Sequence, residues 1–339
     1  MIVFLGTIKV NFKIFRNISQ SFVILLMNEK GRYMNSGELL FITILLISCM
    51  GEGIAQQQVD KNFVPQPFSC KLCDSVSPVV AVDAAHYNYH TVDSRFAPFG
   101  KVLSADGFNV QPNNTTFTEE SLTKFDVLVI ANALSEKNSD NWDLPIYPAF
   151  TRGEIEAVYN WVINGGSLFL IADHMPWPAA SANLAEMFGF SFFNGYVEIT
   201  GESEQFFSIL ENSLLPSPVV TSEGESAIDR VQGFLGQGFL IPPKAIPVLK
   251  FTRPAVSWMP GKSWNIEDKT PYFDATNYYQ GALLEVGKGR IAVFGEAGMF
   301  TAQIVTEDNE TWEMGMNADN ALQNQQLLIN IMRWLVRVK

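Results

Sequence analysis

Between residues 78 and 190 the chain alternates short, continuous apolar runs with segments whose apolar residues recur at helical spacing. Continuous runs of this length predict strands buried on both faces, and the helical spacing predicts amphipathic helices between them. One helix is introduced by Thr151 and Glu154, which form a Ser/Thr-x-x-Glu capping box. The predicted strands are Pro78–Val82, Phe108–Val110, Asp126–Ala131 and Ser167–Ala172, and the predicted helices are Arg95–Ala105, Glu119–Lys124, the segment from Thr151 to Gly165, and Ala179–Phe188.

This alternation predicts an α/β fold with a doubly wound parallel sheet. Residues 194–280 lose the alternation and are rich in Gly, Pro and Ser, which predicts an elaboration of strands and long loops. We therefore predict one domain over residues 78–339, with 194–280 as its elaboration and 56–77 as a preceding linker. The later predicted elements are the strand pair Ala282–Val286 and Arg290–Phe294 and the amphipathic helix Asn320–Val336.

The first 55 residues have the pattern of a targeting segment. Leu39–Ile47 is an apolar core too short to span a bilayer comfortably, and two basic residues precede it. Two processing routes are open: Leu46-Ile47-Ser48-Cys49 resembles a bacterial lipobox with Cys49 as the lipidated residue, and Gly53–Ala55 resembles an ordinary signal-peptidase site. The alternative is a signal anchor that stays in the membrane. We expect an exported protein, either periplasmic, secreted or a lipoprotein of the cell envelope.

Charge limits the classes of partner. Only 17% of residues are charged and the net charge is −12; without residues 1–55, which hold five Lys/Arg and three Asp/Glu, it is −14. An acidic surface repels phosphate backbones, which argues against nucleic acids and anionic membrane surfaces. Membrane association is then expected only through a lipid at Cys49.

Two of the three cysteines stand in Cys70-Lys71-Leu72-Cys73. In an oxidising compartment this pair most simply forms a local disulfide. A redox-active pair usually opens a helix after a strand, and a zinc site would need a second pair of ligands, so both alternatives have less support.

Three spaced motifs carry a resemblance to a known group of proteins. They are Val-Asp-Ala-Ala-His-x-Asn-x-His at 82–90, Gly-Gly-Ser-Leu-x-Leu-Ile-Ala-Asp-His at 165–174 and Phe-Gly-Glu-Ala-x-Met-Phe at 294–300. Together they resemble an uncharacterised bacterial family of the class I glutamine amidotransferase-like superfamily, which is similar to ThuA-like proteins and to gliding-motility and intraflagellar-transport domains. The resemblance runs from Pro78 to Trp334 and implies a flavodoxin-like fold.

Two departures from that group bear on activity. Relatives tend to carry a glutamate where this chain has Ala84. True glutaminases place a cysteine nucleophile where this chain has Ala172-Asp173-His174, and no cysteine follows Cys73. Thiolate chemistry is thereby excluded, and so is glutamine hydrolysis.

All three histidines follow predicted strands, where ligands bind in open α/β sheets. His86 and His90 are four residues apart and would share a face on a helical turn. In a flavodoxin-like strand order, the first and fourth strands flank the third, so their ends lie about 10 Å apart. His86, His90 and His174 could then meet above Asn132 and hold a divalent metal. Histidine pairs at this spacing also occur as simple hydrogen-bonded loop formers.

Two other kinds of site remain open. Asp173, His174 and Glu296 could perform acid/base catalysis, although Asp173 could equally cap the following turn and Glu296 could accept backbone N–H bonds. Aromatic rings beside polar groups also suit a sugar. The candidate ligand-binding residues are Asp83, Asn88, Tyr89, Asn132 and Trp177.

We expect an exported domain that binds a small polar ligand, such as a carbohydrate, with metal-assisted hydrolysis as an option. The alternative is a catalytically silent binding or scaffold domain of a cell-envelope assembly, which should expose an apolar patch on residues 194–280.

Overall fold

The computed structural model describes residues 56–221, 227–307 and 310–338. By its contacts the chain divides into a main unit, residues 58–304 and 312–339, and a small unit, residues 1–57 and 305–311. All candidate site residues belong to the main unit. The predicted targeting segment and Cys49 lie outside the described residues. Within the described ranges, no helix combines the length and apolarity needed to cross a bilayer.

The strands and helices follow one another in the predicted alternating order through the first half of the chain. In chain order they are β1 Gln56–Val59, β2 Val79–Asp83, α1 Ala97–Ala105, β3 Asn109–Asn113, α2 Glu119–Leu122, β4 Val127–Ala131, α3 Arg152–Ile163, β5 Ser167–Ile171, α4 Trp177–Met187, β6 Tyr196–Ile199, β7 Gln205–Ser208, β8 Arg230–Gly233, β9 Ile246–Lys250, β10 Ala255–Trp258, β11 Tyr272–Asp274, β12 Tyr279–Val286, β13 Gly289–Phe294, β14 Ala302–Glu307, β15 Glu310–Gly315 and α5 Asn324–Leu335.

The main sheet has seven strands in the order β3-β2-β4-β5-β13-β12-β9. The first five run parallel, and β12 and β9 extend the sheet antiparallel to their neighbours. Every residue of β4 and β5 is buried, because helices cover both faces of the sheet. This arrangement confirms the predicted doubly wound α/β fold of flavodoxin-like order.

Helices α2, α3 and α4 pack side by side on one face, and α1 and α5 lie together on the other. On the first face, Leu128 and Leu170 of the sheet pack against Val158 of α3 and Leu184 of α4. The predicted capping box is present: Thr151 accepts a hydrogen bond from the Glu154 N–H, and the Glu154 carboxylate accepts one from the Thr151 N–H.

The elaboration contains two small antiparallel sheets, one of β6, β10 and β11 and one of β7 and β8. One part of it differs from the prediction, since β9 lies within residues 194–280 yet forms an edge strand of the main sheet. Its Ile246-Pro247-Val248-Leu249 run is apolar enough for burial. Proline is rare in central strands, so the run did not indicate that this segment pairs with β12 at the edge of the main sheet.

The segment before β2 is fastened to the domain rather than free. The predicted disulfide between Cys70 and Cys73 is present, and Phe63 and Leu72 are buried. The segment predicted as a linker therefore contributes two apolar side chains to the folded unit.

Helix α5 holds this segment in place. Arg333 forms a buried ion pair with Asp106, with Nη2 2.6 Å from Oδ1, and also donates to the Ser69 carbonyl. Gln325 exchanges two hydrogen bonds with the backbone of Gln66, at 2.8 and 3.0 Å. The end of the chain thus anchors the residues that precede the first parallel strand.

Candidate functional site

Four polar side chains follow the parallel strands and meet at the carboxyl edge of the sheet. Asp83 ends β2, Asn132 follows β4, Asp173 follows β5, and Glu296 follows β13; each is at most 5% exposed. The sequence predicted this gathering because neighbouring parallel strands end at the same edge. A cavity of about 240 Å³ lies at the opposite edge of the sheet and is lined by none of these side chains.

Asn132 connects the loops that follow β2, β4 and β5. Its φ of 52° lies in the left-handed region, which asparagine tolerates better than most residues. Its Oδ1 accepts the Asp173 N–H at 2.9 Å, and its Nδ2 donates to His90 Nδ1 at 3.1 Å. Its carbonyl accepts the Tyr89 N–H. The amide therefore fixes both loops, at the position where the sequence predicted them to meet.

His90 is neutral in this arrangement. Burial lowers its pKa well below the ordinary value, and the nearby Arg95 and His174 add to this effect. Because Nδ1 accepts a hydrogen bond from Asn132, the single ring proton resides on Nε2. His90 thus presents an N–H donor on the side of the ring away from Asn132.

His86 lies between two carboxylates. Its Nδ1 is 2.8 Å from Asp83 Oδ2, and its Nε2 is 2.8 Å from Glu154 Oε1. Burial lowers the pKa of His86, but the hydrogen bonds and charges of Asp83 and Glu154 outweigh burial and raise it above the ordinary value. The ring also packs against Phe117 and Phe150. His86 therefore links the end of β2 to the first turn of α3, and its two carboxylate partners favour the charged form of the ring.

The structure does not bring the three predicted metal ligands together. Both ring nitrogens of His86 are bound to carboxylates, and the described residues contain no group of three or more His, Cys, Asp or Glu side chains able to hold a metal. The predicted helical turn is absent because Tyr87 has a φ of 46°, which breaks helical geometry between His86 and His90. The His86 side chain consequently contacts Asp83 and Glu154, whereas the His90 side chain contacts Asn132.

Asn88 stabilises the same loop. Its Oδ1 accepts the His86 N–H at 3.1 Å, and its Nδ2 donates to the Ala131 carbonyl at 3.4 Å. Both ends of this predicted ligand-binding amide are thus engaged with backbone groups.

The two predicted catalytic carboxylates accept backbone hydrogen bonds. Asp173 accepts the N–H groups of His174 and Ala297, and Glu296 accepts those of Gly298 and Met299, both at 2.7 Å. Burial, followed by the charge of Asp173, raises the pKa of Glu296 well above its ordinary value. Burial and Asp173 therefore favour the neutral form of Glu296, whereas the backbone N–H groups of Met299 and Gly298 act in the opposite direction.

His174 lies among aromatic rings. Its Nδ1 donates to the Met175 carbonyl at 2.7 Å, and burial lowers its pKa below the ordinary value, so the neutral ring keeps a lone pair on Nε2. Its ring centroid is 4.7 Å from those of Tyr196 and Trp177 and 4.4 Å from that of Trp264. Burial raises the pKa of Tyr196 to about 12, so its hydroxyl remains a donor and acceptor.

The rings continue from Trp177 toward solvent. Trp177 contacts Tyr89 and Trp142, with centroid distances of 5.2 and 5.0 Å, and the Arg95 guanidinium carbon lies 3.9 Å from the Tyr89 centroid. The buried Trp177 Nε1 has no hydrogen-bond partner among the described residues. We refer to the connected rings together as the aromatic cluster, which comprises Tyr89, Trp142, His174, Trp177, Tyr196 and Trp264.

Sequence reasoning missed several residues of this region. Glu154 was recognised as a helix cap but not as a partner of His86, which is 68 residues away in sequence. Arg95 was assigned to a helix, and Tyr196 and Trp264 come from the elaboration, where no periodic pattern marks them. Among these residues, only Arg95 could have been suspected from the sequence, because it is a charged residue five positions after His90 in a segment with few charges.

Neither a protein-family model nor a curated protein matches this sequence. Among solved structures, the mmIFT52 N-terminal domain is similar over 76% of this chain and 97% of its own, with 16% identity and a TM-score of 0.54. A putative ThuA-like protein from Bacteroides uniformis covers 80% of this chain and 95% of its own, with 13% identity and a TM-score of 0.42. A putative GMP synthase protein from Thermoplasma acidophilum covers 78% and 94%, with 9% identity and a TM-score of 0.40. The chain shares its α/β fold with the mmIFT52 N-terminal domain, and at 16% identity the likeness concerns the fold alone.

Proposed function

We propose that this protein is exported and binds a small polar, sugar-like ligand at the aromatic cluster without hydrolysing it. The observation that supports this most directly is the continuous set of rings around His174, three of which, Tyr89, Trp142 and Trp264, are half-buried. Aromatic faces next to hydrogen-bonding groups suit sugars, which have apolar ring faces and hydroxyl edges.

The surroundings of the two carboxyl groups argue against hydrolysis. A general base needs a free oxygen near its substrate, but Glu296 is 1% exposed and its two oxygens accept the N–H groups of Gly298 and Met299. The oxygens of Asp173 are held by two backbone N–H groups. The chain also lacks a cysteine after Cys73 that could act as a nucleophile.

Ligand binding is tested by tryptophan fluorescence of the purified protein during titration with a panel of monosaccharides and oligosaccharides. We expect at least one saturable change, weakened about two- to tenfold by Trp142→Ala because an aromatic contact contributes roughly 0.5–1.5 kcal/mol. Trp312→Ala is the matched control, since this half-buried tryptophan lies on β15 outside the aromatic cluster. Chromatography of the same mixtures should show no product. Absence of any saturable change, or product formation, would contradict the proposal.

A second candidate is a scaffold domain, favoured by large apolar side chains exposed on the elaboration. Leu210 is 92% exposed and its neighbour Ile209 is 43% exposed, and adjacent exposed apolar side chains can belong to an interaction surface. A photo-crosslinking residue at position 210 tests it in cells. A discrete crosslinked species, lost on Ile209→Ser, would support a docking role for these two residues, and no crosslink would exclude it.

A further inference from the structure

Arg95 is a cation that lacks a counter-charge among the described residues. It forms no ion pair within the described residues, and its buried Nε has no hydrogen-bond partner there. Its guanidinium group instead lies over the Tyr89 ring. An unpaired arginine in a largely buried place is costly unless a ligand supplies the opposite charge.

Two further N–H donors contact the same Tyr89 ring. His90, whose proton is on Nε2, has its centroid 5.3 Å from that of Tyr89, and Trp177, with its unpartnered Nε1–H, has its centroid 5.2 Å away. Within the described residues no acceptor is bound to either N–H group. Three donors with unmet hydrogen-bonding capacity thus surround one ring.

The fold adds to the preference for negative charge. Helix α1 begins two residues after Arg95, and α4 begins at Trp177, so the amino ends of both helices are at this edge of the sheet. The partial positive charge of a helix amino end attracts anions. Asp173, the nearby carboxylate, has its oxygens already bound by backbone N–H groups.

We infer that the ligand is a hydroxylated organic acid, such as an acidic sugar, whose carboxylate binds Arg95, His90 Nε2–H and Trp177 Nε1–H. A hydroxyl of the same ligand donates to the lone pair of His174 Nε2, which lies next to Trp177. This inference rests on the proposed function and specifies the chemical class of its ligand. Charge-assisted hydrogen bonds from arginine to carboxylate are the strongest of these contacts.

The test is isothermal titration calorimetry of the full chain at constant ionic strength with two matched pairs, glucuronate against glucose and gluconate against glucitol. We expect at least one acid to bind about tenfold or more tightly than its neutral partner, a difference of about 1.4 kcal/mol. Arg95→Gln should remove that difference, and Trp177→Phe should reduce it while keeping an aromatic ring. Arg152→Gln is the matched control, because it removes the same charge from an exposed residue that pairs with Glu156.

The outcomes separate the inference from the proposed function. If a neutral sugar binds as tightly as its acid and Arg95→Gln changes neither, the ligand class is wrong while sugar binding stands. If neither acid binds although a neutral sugar does, the ligand class is again wrong and sugar binding again stands. If no member of either pair and no saccharide binds, both fail. Inorganic phosphate that competes with glucuronate at equal affinity would also overturn the carboxylate assignment.

Discussion

Replacing His86 with leucine should strongly destabilise the fold. The leucine roughly fills the space of the ring but leaves the carboxylates of Asp83 and Glu154, 0% and 7% exposed, without their shared cation. Removing one partner of a buried ion pair typically costs about 3–5 kcal/mol, because the remaining charge is uncompensated. We expect His86→Leu to lower the free energy of unfolding by an amount in that range.

The contribution of His86 also depends on pH. Its pKa is raised in the folded state above 6.5, so its stabilisation is complete below 6.5 and is lost as the pH rises through the folded pKa. The pKa of Glu154 is lowered below 4.5 despite burial, by its bonds to Thr151 and His86, so its stabilisation is lost as the pH falls through that lower value. The difference between wild type and His86→Leu should be largest between pH 4.5 and 6.5.

Urea denaturation followed by circular dichroism, at pH values from 4 to 9, measures this difference. His90 and His174 have lowered pKa values, so the stability that they contribute to the fold is lost as the pH falls below 6.5. This loss is common to both proteins, and the difference between them therefore isolates the contribution of His86. The variant Arg152→Gln serves as a control for an exposed ion pair and should leave unfolding unchanged within error. A loss below about 1 kcal/mol, well under the buried-pair range, or a difference that stays constant from pH 6 to 9, would refute the reasoning.

Three other variants test separate features. Glu296→Gln should lower the free energy of unfolding by about 1–3 kcal/mol in urea, because the amide nitrogen cannot accept the backbone N–H that one carboxyl oxygen accepts; an unchanged midpoint would contradict this pair of hydrogen bonds. Asn132→Ala should cost about 2–4 kcal/mol in the same assay, since it removes two hydrogen bonds and places alanine at a φ of 52°; an unchanged midpoint would contradict its linking role. Cys49→Ser should abolish incorporation of radiolabelled palmitate if the protein is a lipoprotein, and equal labelling of both proteins would exclude that route.

The parallel sheet was predictable because its signal is local. β4 and β5 are buried on both faces, so each is a continuous apolar run in the sequence. Such short runs are typical of the central strands of parallel sheets. Asn132, Asp173 and Glu296 could be placed at one edge for the same reason, since strand direction fixes where they emerge. The capping role of Glu154 was equally local, spanning three residues.

What could not be predicted depends on residues far apart in sequence. Spacing alone suggested that His86 and His90 share a face, but the left-handed Tyr87 between them and the distant Glu154 decide the surroundings of His86. The ring of Trp264 reaches His174 from a loop of the elaboration, 90 positions later in the chain. Such contacts follow from tertiary packing, on which periodicity carries no information.

The order in which the sheet is completed has a consequence for folding. β13 lies between β5 and β12 at the middle of the sheet, and α5 supplies the Arg333 and Gln325 contacts that hold the segment before β2. Until β13 and α5 have been synthesised, β5 lacks one of its two neighbours and the segment before β2 lacks its anchor. A nascent chain that stops before β13 therefore exposes one edge of β5, whose unpaired backbone groups are a template for pairing with another chain.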